Sequence, residues 1–185
     1  VKAVIDAEAD TGNAINLDTD FMVTITPAGT AAAADLNAIS AKTTGNITAT
    51  SVTTLTGTVS ERATLIAAEV EAGNGVNLDG DFTVTVDAGT AAAADLNTID
   101  AATTSLITAT GVTALTGTAA ELVTLINNEG DAGNKVNLDG DFAVTITDTP
   151  TNAQLEIIDA ATTGIISYGS DNDVTVTDRS VTASY

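Results

Sequence analysis

GNGVNLDGDF at residues 73–82 recurs as GNAINLDTDF at 12–21 and as GNKVNLDGDF at 133–142, and the spacing of these copies decides the fold. They open at Gly12, Gly73 and Gly133. Similarity extends well outside the motif. PAGTAAAADLNAISAKTT at 27–44 matches DAGTAAAADLNTIDAATT at 87–104, with DTPTNAQLEIIDAATT at 148–163 as a divergent third version. NITATSVTTLTGTVSERATLI at 46–66 matches LITATGVTALTGTAAELVTLI at 106–126. A period of this size marks a repeat architecture.

Each repeat divides again. Gly29-Thr30, Gly57-Thr58, Gly89-Thr90 and Gly117-Thr118, followed by Pro150-Thr151, follow one another in alternating shorter and longer steps. Each pair reads as the opening of a helix, so every step is expected to hold one strand and one helix. Thr58 with Glu61, Thr118 with Glu121 and Thr151 with Gln154 are capping boxes, while Thr30 and Thr90 can cap alone. Leu36 and Ile39, Leu96 and Ile99, Leu155 and Ile158, Leu65 and Ile66, and Leu122, Leu125 and Ile126 supply narrow apolar helix stripes. Phe21, Val23 and Ile25 share one strand face, as do Phe82, Val84 and Val86, and Phe142, Val144 and Ile146.

Strand–helix–strand succession of this length requires parallel pairing through right-handed crossovers. The expected fold is therefore α/β: a right-handed β-α solenoid of leucine-rich-repeat-like geometry, with one parallel sheet backed by helices. Its repeat of about 60 residues comprises two β-α coils, and the leucine-asparagine signature of leucine-rich repeats is missing. Residues 1–163 form the repeats: a partial one at 1–20, two full ones at 21–81 and 82–141, and a partial one at 142–163. Residues 164–185 form a C-terminal strand or hairpin that caps the stack or reaches a neighbour. Val1 to Glu8 reads as the tail of an incomplete helix. The chain starts without methionine, so a mature or trimmed piece of a longer protein is expected.

Composition narrows the function classes. There are 25 acidic and 5 basic residues, a net charge of −20, which disfavours nucleic acid and anionic membrane as partners. Cysteine and histidine are absent, which excludes disulfides, thiolate or imidazole metal sites and His-dependent triads. Aromatics make up 3% and tryptophan is absent. No apolar run is long enough to span a bilayer.

The acidic motif offers hard oxygen ligands around a turn: Asn16, Asp18 and Asp20, then Asn77, Asp79 and Asp81, then Asn137, Asp139 and Asp141. Such donors suit calcium, although the EF-hand spacing and the GGxGxD nonapeptide are absent. Thr19 replaces the glycine of the later copies, and Asp171, Asn172 and Asp173 form a poorer fourth set. The alternative is an Asx-rich turn bonding its own backbone.

A Thr-x-Thr pattern recurs at Thr24/Thr26, Thr48/Thr50, Thr83/Thr85, Thr108/Thr110, Thr145/Thr147 and Thr175/Thr177. On parallel strands it is expected to make two hydroxyl columns, resembling the ice-binding faces of some β-solenoid antifreeze proteins. Ordinary strand preference for threonine explains the same residues. Asp95 with Asp100, and Glu69 with Glu71, lack the aromatic platforms a glycosidase supplies, so no enzyme is expected. Asn46-Ile47-Thr48 is a lone glycosylation sequon.

GTAAAADLNTIDAATT at 89–104 and VTALTGTAAELVTLI at 112–126 resemble the repeats of large acidic, type I-secreted (RTX-like) proteins of cyanobacteria and marine bacteria. That resemblance implies an extracellular or cell-surface adhesin or matrix role, often calcium-stabilised. The expected function is a structural repeat protein that partners itself head to tail in a filament, sheath or surface layer. The alternative is a calcium-dependent module binding a glycan, a mineral or ice through the Thr-x-Thr face. No membrane insertion is expected.

Overall fold

Strands form in the computed structural model where the sequence alternates: Phe82, Val84 and Val86 are buried while Thr83 and Thr85 are exposed. The structure describes residues 2, 3, 5, 17–26, 28–69, 75–130, 136–168 and 174–176. The fold is α/β, with parallel sheets backed by five helices among those residues. Strand orders are open-ended, so the described strands close no barrel. Two compact units divide the chain, one of residues 1–85 and 98–107 and the other of 86–97 and 108–185.

The first unit runs β1 (Val23–Thr24), β2 (Gly29–Ala32), α1 (Ala33–Ser40), β3 (Ile47–Ala49), β4 (Val52–Thr56), α2 (Val59–Glu69), β5 (Val76–Leu78) and β6 (Thr83–Thr85). One parallel set is β1-β3-β5, in register Val23↔Ile47↔Val76. A second is β2-β4-β6, in register Thr30↔Thr54↔Thr83. Lys2, Ala3 and Ile5 are helical, and the rest of the expected N-terminal helix lies outside the described residues.

The chain continues into the second unit with β7 (Gly89–Ala92), α3 (Ala93–Ala102), β8 (Ile107–Ala109), β9 (Val112–Gly117), α4 (Ala119–Gly130), β10 (Val136–Leu138), β11 (Ala143–Ile146), α5 (Asn152–Ala161), β12 (Ile166–Tyr168) and β13 (Val174–Val176), except that residues 98–107, the end of α3 and the first residue of β8, belong to the first unit. Its main sheet is β7-β9-β11-β12-β13. The first four strands are parallel, with Thr90↔Ala114↔Ala143 and Val144↔Ile166 in register. β13 joins antiparallel, pairing Thr175 with Ser167. An extra strand is therefore present after residue 164, as the tail sequence leads one to expect.

The expected single sheet is divided instead into separate hydrogen-bonded sets, for a reason visible in the register. Pairing advances by alternating shorter and longer steps, as from Val23 to Ile47 to Val76 and from Thr30 to Thr54 to Thr83. Two such steps carry Val23 only as far as Val76, whereas the sequence repeat carries it to Val84. The shortfall is the stretch from β5 to β6. The sequence counterpart of β1 is thus β6, yet β6 joins β4 while β5 joins the sheet of β1.

With repeats cut at Phe21, Phe82 and Phe142, β4 of one repeat, itself paired with β2, pairs onto the Phe strand β6 of the next. In the second unit β9, itself paired with β7, pairs onto β11 in the same way. Each step therefore holds two or three short strands where one was expected.

Gly-Thr also has two roles. At Gly57-Thr58 and Thr118 it opens a helix, and both capping boxes close: Thr58 N donates to Glu61 Oε2 at 2.8 Å, and Thr118 N donates to Glu121 Oε2 at 2.8 Å. Gly57 holds φ 126°, and a Cβ there would meet Glu61 Oε2 at 2.8 Å, so glycine is required beside the cap. At Gly29 and Gly89 the pair opens a strand through a register shift, and the helix begins four residues later. Thr30 is therefore no cap; Ala32 precedes α1 without a side-chain cap bond. α5 has the expected Thr151–Gln154 capping box.

The helices pack through the expected stripes. Leu36 and Ile39 on α1 and Leu65 and Ile66 on α2 are buried, as are Leu122 and Leu125 on α4. Each such leucine contributes roughly 1.5–3 kcal/mol by leaving water. Asn37 Nδ2 donates to Glu61 O at 2.8 Å and ties α1 to α2; Asn97 Nδ2 donates to Glu121 O at 2.9 Å and ties α3 to α4.

Candidate functional site

The acidic motif joins two strands. Asn77 lies in β5 and Asn137 in β10, both exposed, so these amides belong to strands where a turn was expected. Asp79-Gly80-Asp81 makes the turn into β6, and Asp139-Gly140-Asp141 makes the turn into β11. Phe82 and Phe142 follow, each fully buried. The turn thus separates a strand from an aromatic anchor.

Its backbone is held by a threonine pair from the loop after the next helix. Thr43, Thr103 and Thr162 are buried, and their hydroxyls donate to the carbonyls of Phe21, Phe82 and Phe142 at 2.5, 2.7 and 2.5 Å. Each hydroxyl also accepts the amide two residues on, from Gly45, Ser105 and Gly164 at 2.9, 3.1 and 2.9 Å. The following threonine amides, Thr44, Thr104 and Thr163, donate to the carbonyls of Thr19, Gly80 and Gly140 at 2.8, 2.7 and 2.8 Å. The Thr-Thr step of every repeat is thus a clamp on the acidic turn that lies before the same helix.

The carboxylates face solvent. Asp18, Asp20, Asp79, Asp81, Asp139 and Asp141 are exposed, and Asn16 lies outside the described residues, as do Asp171, Asn172 and Asp173. Asp18 Oδ1 accepts Thr19 N at 2.9 Å and Asp139 Oδ1 accepts Gly140 N at 3.0 Å, the local backbone bonds of an Asx turn. Among the described residues no three acidic side chains gather closely enough to hold a metal ion. What the turns could present to a cation is carboxylate oxygen at high density on a chain of net charge −20.

Two further polar features escaped the sequence reading. Glu69 at the end of α2 accepts Leu78 N at 3.2 Å, and Glu129 on α4 accepts Leu138 N at 3.2 Å. Burial pushes both carboxyls above their ordinary value, with the leucine amide pulling the other way. Their signal was present: a glutamate stands at the same offset before the motif leucine in every copy, as Glu8 before Leu17, Glu69 before Leu78 and Glu129 before Leu138. Arg62 is 1% exposed, and its Nη2 donates to Thr85 O at 2.7 Å. Its counterpart in the next repeat is Leu122, equally buried.

The Thr-x-Thr pattern makes columns, though not the regular pair expected. Thr24, Thr48 and Asn77 align across β1, β3 and β5, and all three are exposed. Thr30, Thr54 and Thr83 align across β2, β4 and β6, with the Thr54 and Thr83 hydroxyls 3.1 Å apart. In the second unit the corresponding column is Thr90, Ala114 and Ala143. Thr26, Thr50, Thr110 and Thr147 fall just outside the strands, and Thr177 lies outside the described residues. Asp95 is half-buried and Asp100 buried on α3, and Glu71 lies outside the described residues.

Compared with protein-family models, with curated proteins and with solved structures, the chain has no match. Among the described residues no helix is long and apolar enough to cross a membrane.

Proposed function

We propose that this chain is an extracellular structural repeat protein, a subunit or segment of a self-assembling filament, sheath, surface layer or adhesin. In this reading its β-α coils form a right-handed solenoid. The observation that carries it is strand lending: β4, backed by β2, pairs onto the Phe strand of the following repeat, and β9, backed by β7, does the same one repeat later with the same register steps. A unit completed only by its successor propagates, and a head-to-tail contact that does not close into a ring gives a fibre. The acidic surface and the resemblance to type I-secreted repeats support an extracellular setting. Electron microscopy at low salt and after calcium addition tests the reading: ordered fibres are the expected result, and a strictly monomeric chain throughout sinks it.

A second reading is favoured by the aligned, exposed Thr24, Thr48 and Asn77. It makes the chain a calcium-dependent module that binds a glycan, a mineral or ice through its threonine columns. Thermal hysteresis and glycan-array binding discriminate, since the structural reading predicts silence in both.

A further inference from the structure

Equivalent strands of successive repeats have different neighbours. β6 pairs with β4 through Thr83↔Thr54 and Val84↔Leu55, and β11 pairs with β9 through Val144↔Leu115. β1 is their counterpart, and among the described residues it has β3 alone beside it. Val23 N and Ile25 N donate to Asn46 O and Thr48 O of that neighbour at 3.1 and 2.8 Å. Strand geometry then turns the amides of Thr24 and Thr26 to the opposite edge. In the third repeat the amide equivalent to Thr26, that of Thr147, donates to Gly117 O of β9 at 2.9 Å.

Burial changes in step with the missing neighbour. Phe21 and Ile25 are half-buried, whereas Phe82 and Phe142 are 0% exposed and Val86 and Ile146 are buried. Met22 is 82% exposed at this edge, where the second repeat has Thr83 bonded to Thr54. A groove of about 310 Å³ opens next to it, lined among others by Lys2 of the N-terminal helical stretch and by Ile25, Thr26, Ala31, Asp35 and Leu36. The carbonyl equivalent to that of Thr24, on Thr85, is met by Arg62 from α2, the helix that directly follows β4. In the next repeat, both strand edge and carbonyl are therefore covered by one continuous piece, VTTLTGTVSERATLI at 52–66.

We infer that the outer edge of β1 and the adjoining groove form a docking site for a strand–helix segment of this type, the second half of another repeat of the same kind. The inference builds on the structural-repeat reading and names the element that joins one unit to the next. The segment would add parallel to β1, donating to and accepting from Thr24 and Thr26, and would lay its helix start over Ala31 and Leu36.

The test uses the full chain and a labelled peptide of residues 112–121, VTALTGTAAE, followed by fluorescence anisotropy; the peptide stops before the helix residues whose counterparts, Lys2, Ala3 and Ile5, the chain itself supplies. The expected result is saturable 1:1 binding, weakened at least about tenfold by Thr24→Pro, which removes the outward amide. Ala31→Gln, which fills the groove without touching the backbone, weakens it similarly, as does Leu115→Lys in the peptide. Hydrogen exchange at the Thr24 and Thr26 amides slows on binding. No saturation up to about 1 mM, or binding indifferent to both substitutions, overturns the proposal. Self-association of the chain that the peptide fails to displace also overturns it, by showing that copies join at another surface. Fibres without peptide binding refute this inference alone, and peptide binding without fibres refutes only the structural function.

Discussion

Thr103→Val tests whether the clamp on the acidic turn holds the fold. Thr103 is 2% exposed, its hydroxyl donates to Phe82 O at 2.7 Å, and it accepts from Ser105 N at 3.1 Å. Valine keeps the shape and removes both bonds, leaving a buried carbonyl and a half-buried amide that water cannot easily reach. At about 1–3 kcal/mol for each orphaned buried group, discounted for the partly exposed amide, the expected loss is about 2–4 kcal/mol. For a chain of this length that lowers Tm by roughly 5–15 °C. Thr103→Ser keeps the hydroxyl and loses one methyl, about 1 kcal/mol. Thr104→Val removes only an exposed hydroxyl bond to Gly80 O at 3.1 Å and is expected to stay within about 0.5–1 kcal/mol. Urea unfolding followed by circular dichroism, with thermal melts in parallel, gives the three values. Thr103→Val within about 0.5 kcal/mol of the parent, or Thr104→Val equally damaging, refutes the assignment of the clamp.

Further predictions concern the buried charges and the surface. The folded-state pKa values of Glu69 and Glu129 lie above 4.5, so over that interval the folded chain keeps protons the unfolded chain has released. Stability attributable to them is greatest below 4.5 and falls as pH rises through the raised values. Glu69→Gln with Glu129→Gln, which keeps an acceptor for Leu78 N and Leu138 N, should flatten that fall and raise Tm at neutral pH; an unchanged Tm-versus-pH curve contradicts it. Arg62→Ala leaves Thr85 O without its donor and opens a cavity, an expected loss of about 2–5 kcal/mol in urea unfolding. Arg62→Leu, the residue that Leu122 already supplies one repeat on, should recover at least about 1.5 kcal/mol of that by refilling the space, and equal losses for both variants exclude packing as the main term. With a net charge of −20, Tm should rise between low and moderate sodium chloride as repulsion is screened. On that background, sites at the acidic turns show as a further rise with calcium that equal magnesium does not reproduce and that Asp79→Asn with Asp81→Asn removes.

What the sequence made legible follows from how local each feature is. Alternation placed Phe82, Val84 and Val86 inside, and capping-box spacing located the starts of α2, α4 and α5, because each depends on residues within one turn or one strand. Asn77 read as a turn residue because Asp79, Gly80 and Asp81 follow it; its place in β5 depends on Thr48 in β3, on the far side of α2. Gly29-Thr30 and Gly57-Thr58 look alike locally, yet one opens a strand and the other a helix. The difference lies in the side chain three residues on: Glu61 can reach back to an amide, and Ala33 cannot. Thr43, Thr103 and Thr162 carry no local signal of their role because their burial is decided by the turn they clamp, which lies a whole helix earlier in the chain. For the acidic turns the structure adds exposed carboxylates and two local Asx bonds, so their affinity for a cation is a matter for the calcium melts.

The division into several sheets has a simple origin that also limits what one repeat can do alone. Two pairing steps fall short of one sequence repeat, so they do not bring a strand onto its own counterpart. After those two steps the chain arrives at β5, not at the next Phe strand, and the Phe strand must find its neighbour in β4. Every interior Phe strand therefore draws one side of its sheet from the repeat before it. A single repeat cut out at its phenylalanines leaves β2 and β4 without the strand that continues them, and leaves its own Phe strand with one bare edge. Stability in such a chain is a property of neighbouring repeats taken together. That dependence is why an element as short as the Val23–Thr24 strand can carry information about what stands next to it.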